Sequence, residues 1–420
     1  MPPSSSPDAG ARQGLCTERR RGIMLPRSPR STRAHAQLSI AHGHLMVNEP
    51  RNRHHTPRRA GLYGPGELLT RKLGGRMLLF PHHILEQFSR DIFVAAGAPP
   101  DIAAHVARSL VDANLAGHDS HGVLRIPSYL QFIQQGTLKP AERPVIEREG
   151  PASALVDGRQ GFGQIAATFA MDLAVDKALH LGVAAVGIHH CNHIGRVGEY
   201  VENAARRGCI GLALYGMSGP NAGNAAPYGG AARCLGTNPY AIGVPAGRRA
   251  AVIVDFATTT IAEGKIRVAR AKHEPLPPGC IVDREGRPST DPEDYYNGGM
   301  LLPFGGHKGY GLSLVAALLG GLAAGDGPSH DGRVSGVFML AINPAVFRPA
   351  GEFGEVVDHV LGNVKNVPPA PGFSEVLIPG EPEARSRAQR LREGIPVPDD
   401  TWRALQDAAA ALGVPLPATV

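Results

Sequence analysis

Apolar residues recur along this chain in two rhythms, and both begin only after about residue 77. Ile84, Leu85, Phe88, Ile92 and Phe93 repeat at three- and four-residue spacing, which puts them on one helical face. The Gly-Ala-Pro-Pro run at 97–100 predicts the end of that helix. Asp101 is placed to cap a second helix that runs to about Ala116 and stops at Gly117. Ile126, Tyr129, Leu130 and Ile133 open a third, so the loop 117–122 is expected between two helices. Farther on, a helix near 166–181, a strand Val183–Ile188, a helix 195–207 and a strand Ile210–Tyr215 alternate. An extended run Ala251–Asp255, a helix after Ile261 and a Gly-rich turn at 303–311 follow, the turn leading into an apolar helix to about Leu322. Val337–Ile342 reads as a strand, and the tails 381–395 and 399–411 read as charged helices. The pattern predicts a mixed α/β chain.

Charge changes how the rest is read. The formal net charge is +6, yet residues 1–76 alone hold 14 Lys/Arg against four Asp/Glu. The remaining 29 basic and 33 acidic side chains leave the rest of the chain at −4, so the basic character belongs to the leader. That leader is rich in Arg, Ser, Pro and Gly without period, which predicts disorder. Its composition is that of a targeting peptide, but no apolar run follows the RRR at 19–21 and regular structure is expected just after Met77, so it reads rather as sequence ahead of a true start at Met77. It lacks aromatics among its arginines, which argues against a nucleic-acid partner. No apolar run approaches the ~18 residues of a membrane span, so no membrane partner is expected. Five scattered cysteines without a CxxC pair favour a reducing compartment, and a cytoplasmic location is expected.

Several segments carry candidate chemistry. Asp119-Ser120-His121-Gly122 sets a histidine in a turn at a helix start, with an imidazole suited to proton exchange. Arg125, one turn on, is placed to grip a carboxylate; capping and turn roles alone would also explain the loop. Asp255 ends an extended run beside small and hydroxyl residues, where it could orient an imidazole, meet a cofactor or cap a helix. The turn 305–311 offers backbone amides with His307 and Lys308, enough to receive an anion but without P-loop spacing. Gly161-Phe-Gly163-Gln-Ile-Ala166 matches a dinucleotide fingerprint. Its preceding apolar stretch is short and no acidic residue ends the next strand, so it reads as a structural turn. His189-His190-Cys191-Asn192-His193 invites a metal reading, but neighbours on an emerging strand point to opposite faces, and no metal is expected.

Seven ordered blocks turn these fragments into a resemblance. They are "GHDSHGVLRIPSYL" (117–130), "CNHIGRVGEY" (191–200), "APYGG" (226–230), "LGTNPYAIGVP" (235–245), "VDFATTTIAEGKIRVARA" (254–271), "LPFGGHKGYGLSL" (302–314) and "IPGEPE" (378–383). From about Met77 to the C-terminus, roughly four-fifths of the chain, the sequence resembles the malate/L-lactate dehydrogenase family that lacks a Rossmann domain. Ureidoglycolate dehydrogenases, diketogulonate reductases and piperideine-2-carboxylate reductases are relatives in that family.

The resemblance implies a non-Rossmann α/β fold. A helical portion (77–150 and 345–420) would carry the catalytic histidine, and a mixed-sheet portion (151–344) would bind NAD(P) and substrate. It implies an oxidoreductase acting between NAD or NADP and a small 2-hydroxy or 2-oxo acid. His121 would exchange the proton, with Ser120 and Asp255 beside it. Arg125 would bind the substrate carboxylate, with His193 and Thr237 lining the cleft. Val252, Val254, Asp255, Ala257, His307, Lys308, Gly380 and Glu381 match cofactor contacts, and a homodimer is implied. Two alternatives stand: reduction of a cyclic imino acid or diketo sugar acid, and a metal-dependent hydrolase or lyase using His189, His190 and His193. One departure from the family pattern, Tyr215 to Asn221, bears on substrate identity, and NAD versus NADP is left open.

Overall fold

Seven strands form the central sheet in the order Val145–Gly150, Ser153–Asp157, Val183–His189, Val334–Ile342, Ile210–Ser218, Tyr240–Val244 and Val252–Phe256. The computed structural model describes residues 77–324 and 332–417; the leader expected to be disordered lies outside them. Only Ser153–Asp157 and Val183–His189 run parallel; every other neighbouring pair in the sheet is antiparallel. A doubly wound dinucleotide fold needs a run of parallel strands, so the sheet is of another kind, as expected.

The helix Gly163–Leu181 lies against one face of this sheet. Ala166, Ala170, Ala174 and Ala178 repeat every fourth residue along it and are fully buried with Val186, Ile188 and Met339. Small side chains on that stripe let helix and sheet approach closely. The helix His307–Leu322 also packs closely on the sheet, and there the contact is tighter still: a Cβ on Gly216 would overlap the carbonyl of Ala316.

A second hydrophobic cluster joins the N-terminal helices His82–Ala95, Pro100–Leu115 and Ile126–Gln134 to the C-terminal helix Asp399–Leu412. Leu85, Phe88, Ile92 and Phe93 are buried there with Trp402 and Leu405. Each such side chain contributes about 1.5–3 kcal/mol on burial. Met77–Phe80, where the described residues begin, pairs antiparallel with Ile395–Pro398. This pairing, the edge strand Val145–Gly150 and the helix Ala350–Lys365 have no counterpart in the sequence reading. Asp101 is not the cap of the second helix: Pro100 starts it, where a missing N–H costs nothing, and Asp101 pairs with Arg143.

Candidate active site

The loop that carries His121 is held from below by side chains the fold buries. Asn114, near the end of the second helix, donates to Asp119 Oδ1 (2.7 Å) and accepts from the Val123 N–H (2.9 Å). Arg390, from the helix Glu381–Glu393, grips both oxygens of Asp119. Gly122 lies directly over Asn114, where an added Cβ would collide with the amide. These contacts fix the 3-10 turns Asp119–His121 and Val123–Arg125. Asp119 is thus a structural residue of the loop.

The turns bring two imidazoles face to face. His121 stacks on His193 with ring centroids 5.5 Å apart and planes 20° from parallel. His121 Nδ1 is 2.9 Å from Ser120 Oγ. The Tyr129 hydroxyl is 2.7 Å from His193 Nδ1 and itself accepts from Gln164 Nε2 (2.9 Å). An amide nitrogen only donates, which leaves the phenol proton available for His193 Nδ1. The Gly195 N–H, which also only donates, faces the same nitrogen at 3.4 Å. Nδ1 therefore accepts, and the proton of neutral His193 sits on Nε2. Arg125 donates through Nε to Ser120 O (2.7 Å). Among the described residues its two terminal nitrogens have no hydrogen-bond partner, which leaves the guanidinium fork for a carboxylate.

Electrostatics keep both rings neutral. Burial, then the positive charges of Arg125, His118 and Arg196, pull His121 down to about 3. Burial, Arg125 and His121 do the same to His193, also to about 3. A substrate carboxylate on Arg125 would cancel much of that positive field and raise both.

Asp255 lies at the end of the edge strand and accepts from the Gly198 N–H (2.8 Å) at the start of the helix Gly198–Arg206. No hydrogen bond joins it to His121, whose Nδ1 is taken by Ser120. Burial raises the Asp255 carboxyl, opposed by His118, the Gly198 N–H and Arg196. Arg196 is buried between Asp112 (3.2 Å) and Glu202 (2.9 Å), and among the described residues its Nε and Nη1 have no hydrogen-bond partner.

The residues matched to cofactor contacts line up along that edge strand. Val252, Val254, Asp255 and Ala257 are all half-open. Gly380, at φ +98°, precedes the helix Glu381–Glu393, and the neighbouring Pro379 carbonyl accepts from Ile253 N–H (3.1 Å). Glu381 is engaged within the fold, accepting from Lys365 (2.9 Å) and the Ile378 N–H (2.9 Å). A cleft of about 400 Å³ beside the strand is lined by Ala251, Ile253, Gly380, Glu383, Arg206 and Arg249. Glu383 there accepts from His118 (3.4 Å), three residues before His121. Thr237 accepts through its carbonyl from Thr258, just past the same strand. The Thr258 carbonyl in turn holds Phe304, which places exposed His307 and Lys308 at the adjoining helix start. A half-open strand edge, a cleft with arginines and unpartnered buried guanidinium nitrogens suit a polyanionic dinucleotide.

Tyr129, Gln164, His118 and Arg196 escaped the sequence reading. Tyr129 looked like one more apolar position of a helix, and Gln164 lay inside the fingerprint-like segment. That segment does sit in a strand–helix–parallel strand unit. Its helix start is closed, because a Cβ on Gly163 would overlap the carbonyls of Asn192 and His193. The strand expected at Ile210–Tyr215 runs on to Ser218, into the stretch that departs from the family pattern, and Met217 is tied to Asn238 beside Thr237. The histidine cluster also differs from expectation. His190 has a left-handed backbone (φ 44°), which brings its ring to 4.4 Å from that of His189. His193 is not part of that pair; it stacks on His121. The metal triad of His189, His190 and His193 is therefore not assembled.

Comparison with known proteins identifies the family. The family model described as malate/L-lactate dehydrogenase matches residues 80–406. The chain is 37% identical to the L-sulfolactate dehydrogenase of Methanocaldococcus jannaschii over 332 residues, 77% of this chain and 94% of that one. It is 36% identical to hydroxycarboxylate dehydrogenase B of Escherichia coli over 346 residues, 80% and 95% of the two chains. The solved sulfolactate dehydrogenase of Methanocaldococcus jannaschii superposes with a TM-score of 0.74 at 35% identity, covering 81% of this chain and 98% of that one. A delta1-piperideine-2-carboxylate reductase from Pseudomonas syringae does so with 0.67 at 31%, covering 79% and 99%. With a family model and relatives matched over most of its length, this chain belongs to the malate/L-lactate dehydrogenase family.

Proposed function

We propose that the protein interconverts a small 2-hydroxy acid and its 2-oxo acid at the His121–His193 pair. The observation that carries this reading is the stacked pair beside the open fork of Arg125. A bound nicotinamide supplies the hydride acceptor or donor. Arg125 holds the substrate carboxylate by two parallel hydrogen bonds and orients C2. Neutral His121 takes the hydroxyl proton in oxidation; in reduction its protonated form returns it. The Nε2–H of His193 donates to the same substrate oxygen. Ser120 fixes the His121 ring, and Asp255 lends negative charge beside His118 and Arg196.

The dinucleotide would lie along Val252–Ala257, with Gly380 and Glu381 at one end and His307 and Lys308 near Thr258. Arg206 and Arg249 flank the cleft without an ion pair among the described residues, which favours NADP through its additional phosphate. A homodimer is supported by Leu318 and Leu322, 64% and 72% exposed on the helix His307–Leu322, and by Val356 and Val360 on the helix Ala350–Lys365. A cytoplasmic location is supported by the free thiols Cys191, Cys209, Cys234 and Cys280. No described helix is long and apolar enough to cross a membrane.

The test follows cofactor absorbance with NADH or NADPH against 2-oxo acids and cyclic imino acids. Wild type and His121→Ala are run side by side, with cofactor binding measured separately. His121→Ala is expected to lose roughly 10²–10⁴-fold in turnover while still binding the cofactor. Undiminished turnover in the variant would remove His121 from the role.

A further inference from the structure

Away from the reaction cleft, the ends of two parallel strands gather a second set of ligating side chains. Asp157 and His189 close Ser153–Asp157 and Val183–His189 and are direct partners in the parallel ladder. His190 would ordinarily point to the opposite face. Its left-handed backbone instead turns it back, and its Nδ1 lies 3.0 Å from Asp157 Oδ1. Each of the three residues offers a ligand atom, and these atoms all lie within 4.8 Å of one another.

The protonation pattern fits a metal. His189 is 5% exposed, and its Nε2 lies 2.6 Å from Glu147 Oε2. An ionised carboxylate only accepts, so Nε2 carries the proton and the lone pair is on Nδ1. That Nδ1 is buried and has no hydrogen-bond partner among the described residues. A carboxylate behind a histidine in this way fixes the ring and raises the basicity of its other nitrogen, as outer partners of metal-bound histidines do. Half-exposed His190 can move its Nδ1 proton to Nε2 through solvent, which frees Nδ1 with no net loss of charge.

We propose that Asp157, His189 and His190 bind one divalent transition-metal ion of the zinc class, with Glu147 as the outer partner of His189. Two imidazoles and one carboxylate suit zinc or cobalt and do not suit calcium or magnesium, which take oxygen ligands. Ligands at about 2.0–2.1 Å around a tetrahedral ion stand closer together than the present spread, so modest side-chain rotations close the site. A water completes it from the exposed side of His190. The ion would pin both strand ends to the base of the segment 190–195, which carries His193. Its role is structural, since none of its ligands belongs to the reaction cleft.

The test uses the untagged full chain, stripped with a chelator and titrated with Zn²⁺ in competition with a chromophoric chelator. One tight equivalent per chain and a higher Tm are expected, with turnover retained by the metal-free protein. Glu147→Gln should weaken binding by roughly 10–100-fold. The double variant Asp157→Asn with His190→Asn should lose the tight equivalent; asparagine tolerates the left-handed backbone, so the loop is kept. Absence of a tight equivalent in the wild type overturns the proposal. So does equal affinity in the double variant, which would place the ion on other histidines.

Discussion

The hydroxyl of Tyr129 stands 2.7 Å from Nδ1 of His193 and decides which nitrogen of that histidine faces the cleft with a proton. Together with the Gly195 N–H it keeps the lone pair on Nδ1 and the proton on Nε2, the tautomer that presents a donor to a substrate oxygen. Tyr129→Phe should therefore lower kcat/KM about tenfold, the equivalent of one hydrogen bond. The same change leaves Gln164 Nε2 without its acceptor in a buried place, at a cost of about 1–3 kcal/mol in stability. Steady-state kinetics and a denaturant melt read the two effects separately; an unchanged kcat/KM would mean that the phenol is not needed to orient His193.

Arg125 offers a planar fork, and lysine would offer a single point charge. Arg125→Lys keeps the charge but breaks the paired contact to a carboxylate. KM for the 2-oxo acid should rise roughly 10–100-fold, corresponding to the loss of a charge-assisted hydrogen bond of about 1.5–3 kcal/mol. An unaltered KM would show that the carboxylate binds elsewhere.

The depressed acidity of the imidazoles has a pH signature. With His121 at about 3 in the free protein, the base is already neutral throughout the range where an ordinary histidine titrates. The acid limb of kcat/KM for hydroxy-acid oxidation should accordingly fall well below the usual histidine value of about 6.5. Stability follows the same sign. Between the two values the unfolded chain binds a proton that the folded chain does not, so stability falls as pH drops from about 6.5 towards 3. Replacing His121 or His193 by asparagine should flatten that fall in Tm, and an equally steep fall would contradict the assignment.

Gly122 has no space for a side chain above Asn114. Gly122→Ala should force the Asn114 amide aside and break its bonds to Asp119 and Val123. The loss expected is about 1–3 kcal/mol in a denaturant melt, with turnover reduced because the His121 turn loses its floor. Wild-type stability would show that the loop can yield at no cost.

Much of this was legible in one dimension because it depends on local rules. The helix Gly163–Leu181, the strand at 183 and the helix ending at Leu322 follow from spacing, glycine and proline. His121 and Arg125 could be read as a pair because one turn of chain joins them. The edge strand Val145–Gly150 could not be: its side chains are largely exposed, so it carries no apolar rhythm. Gln164 and Tyr129, 35 residues apart, gave no sign that they meet.

The sequence by itself determined the family, the non-Rossmann α/β class and the candidate set of His121, Arg125, His193 and Asp255, because ordered motifs survive without coordinates. Tertiary structure decided which of these touch. It stacked His193 on His121, gave Asp255 to the Gly198 amide and Asp119 to Arg390, and turned His190 back towards Asp157. Such choices rest on distances between segments far apart in the chain and on which donor is left without water. Those quantities exist only once the sheet and the hydrophobic clusters around it have assembled.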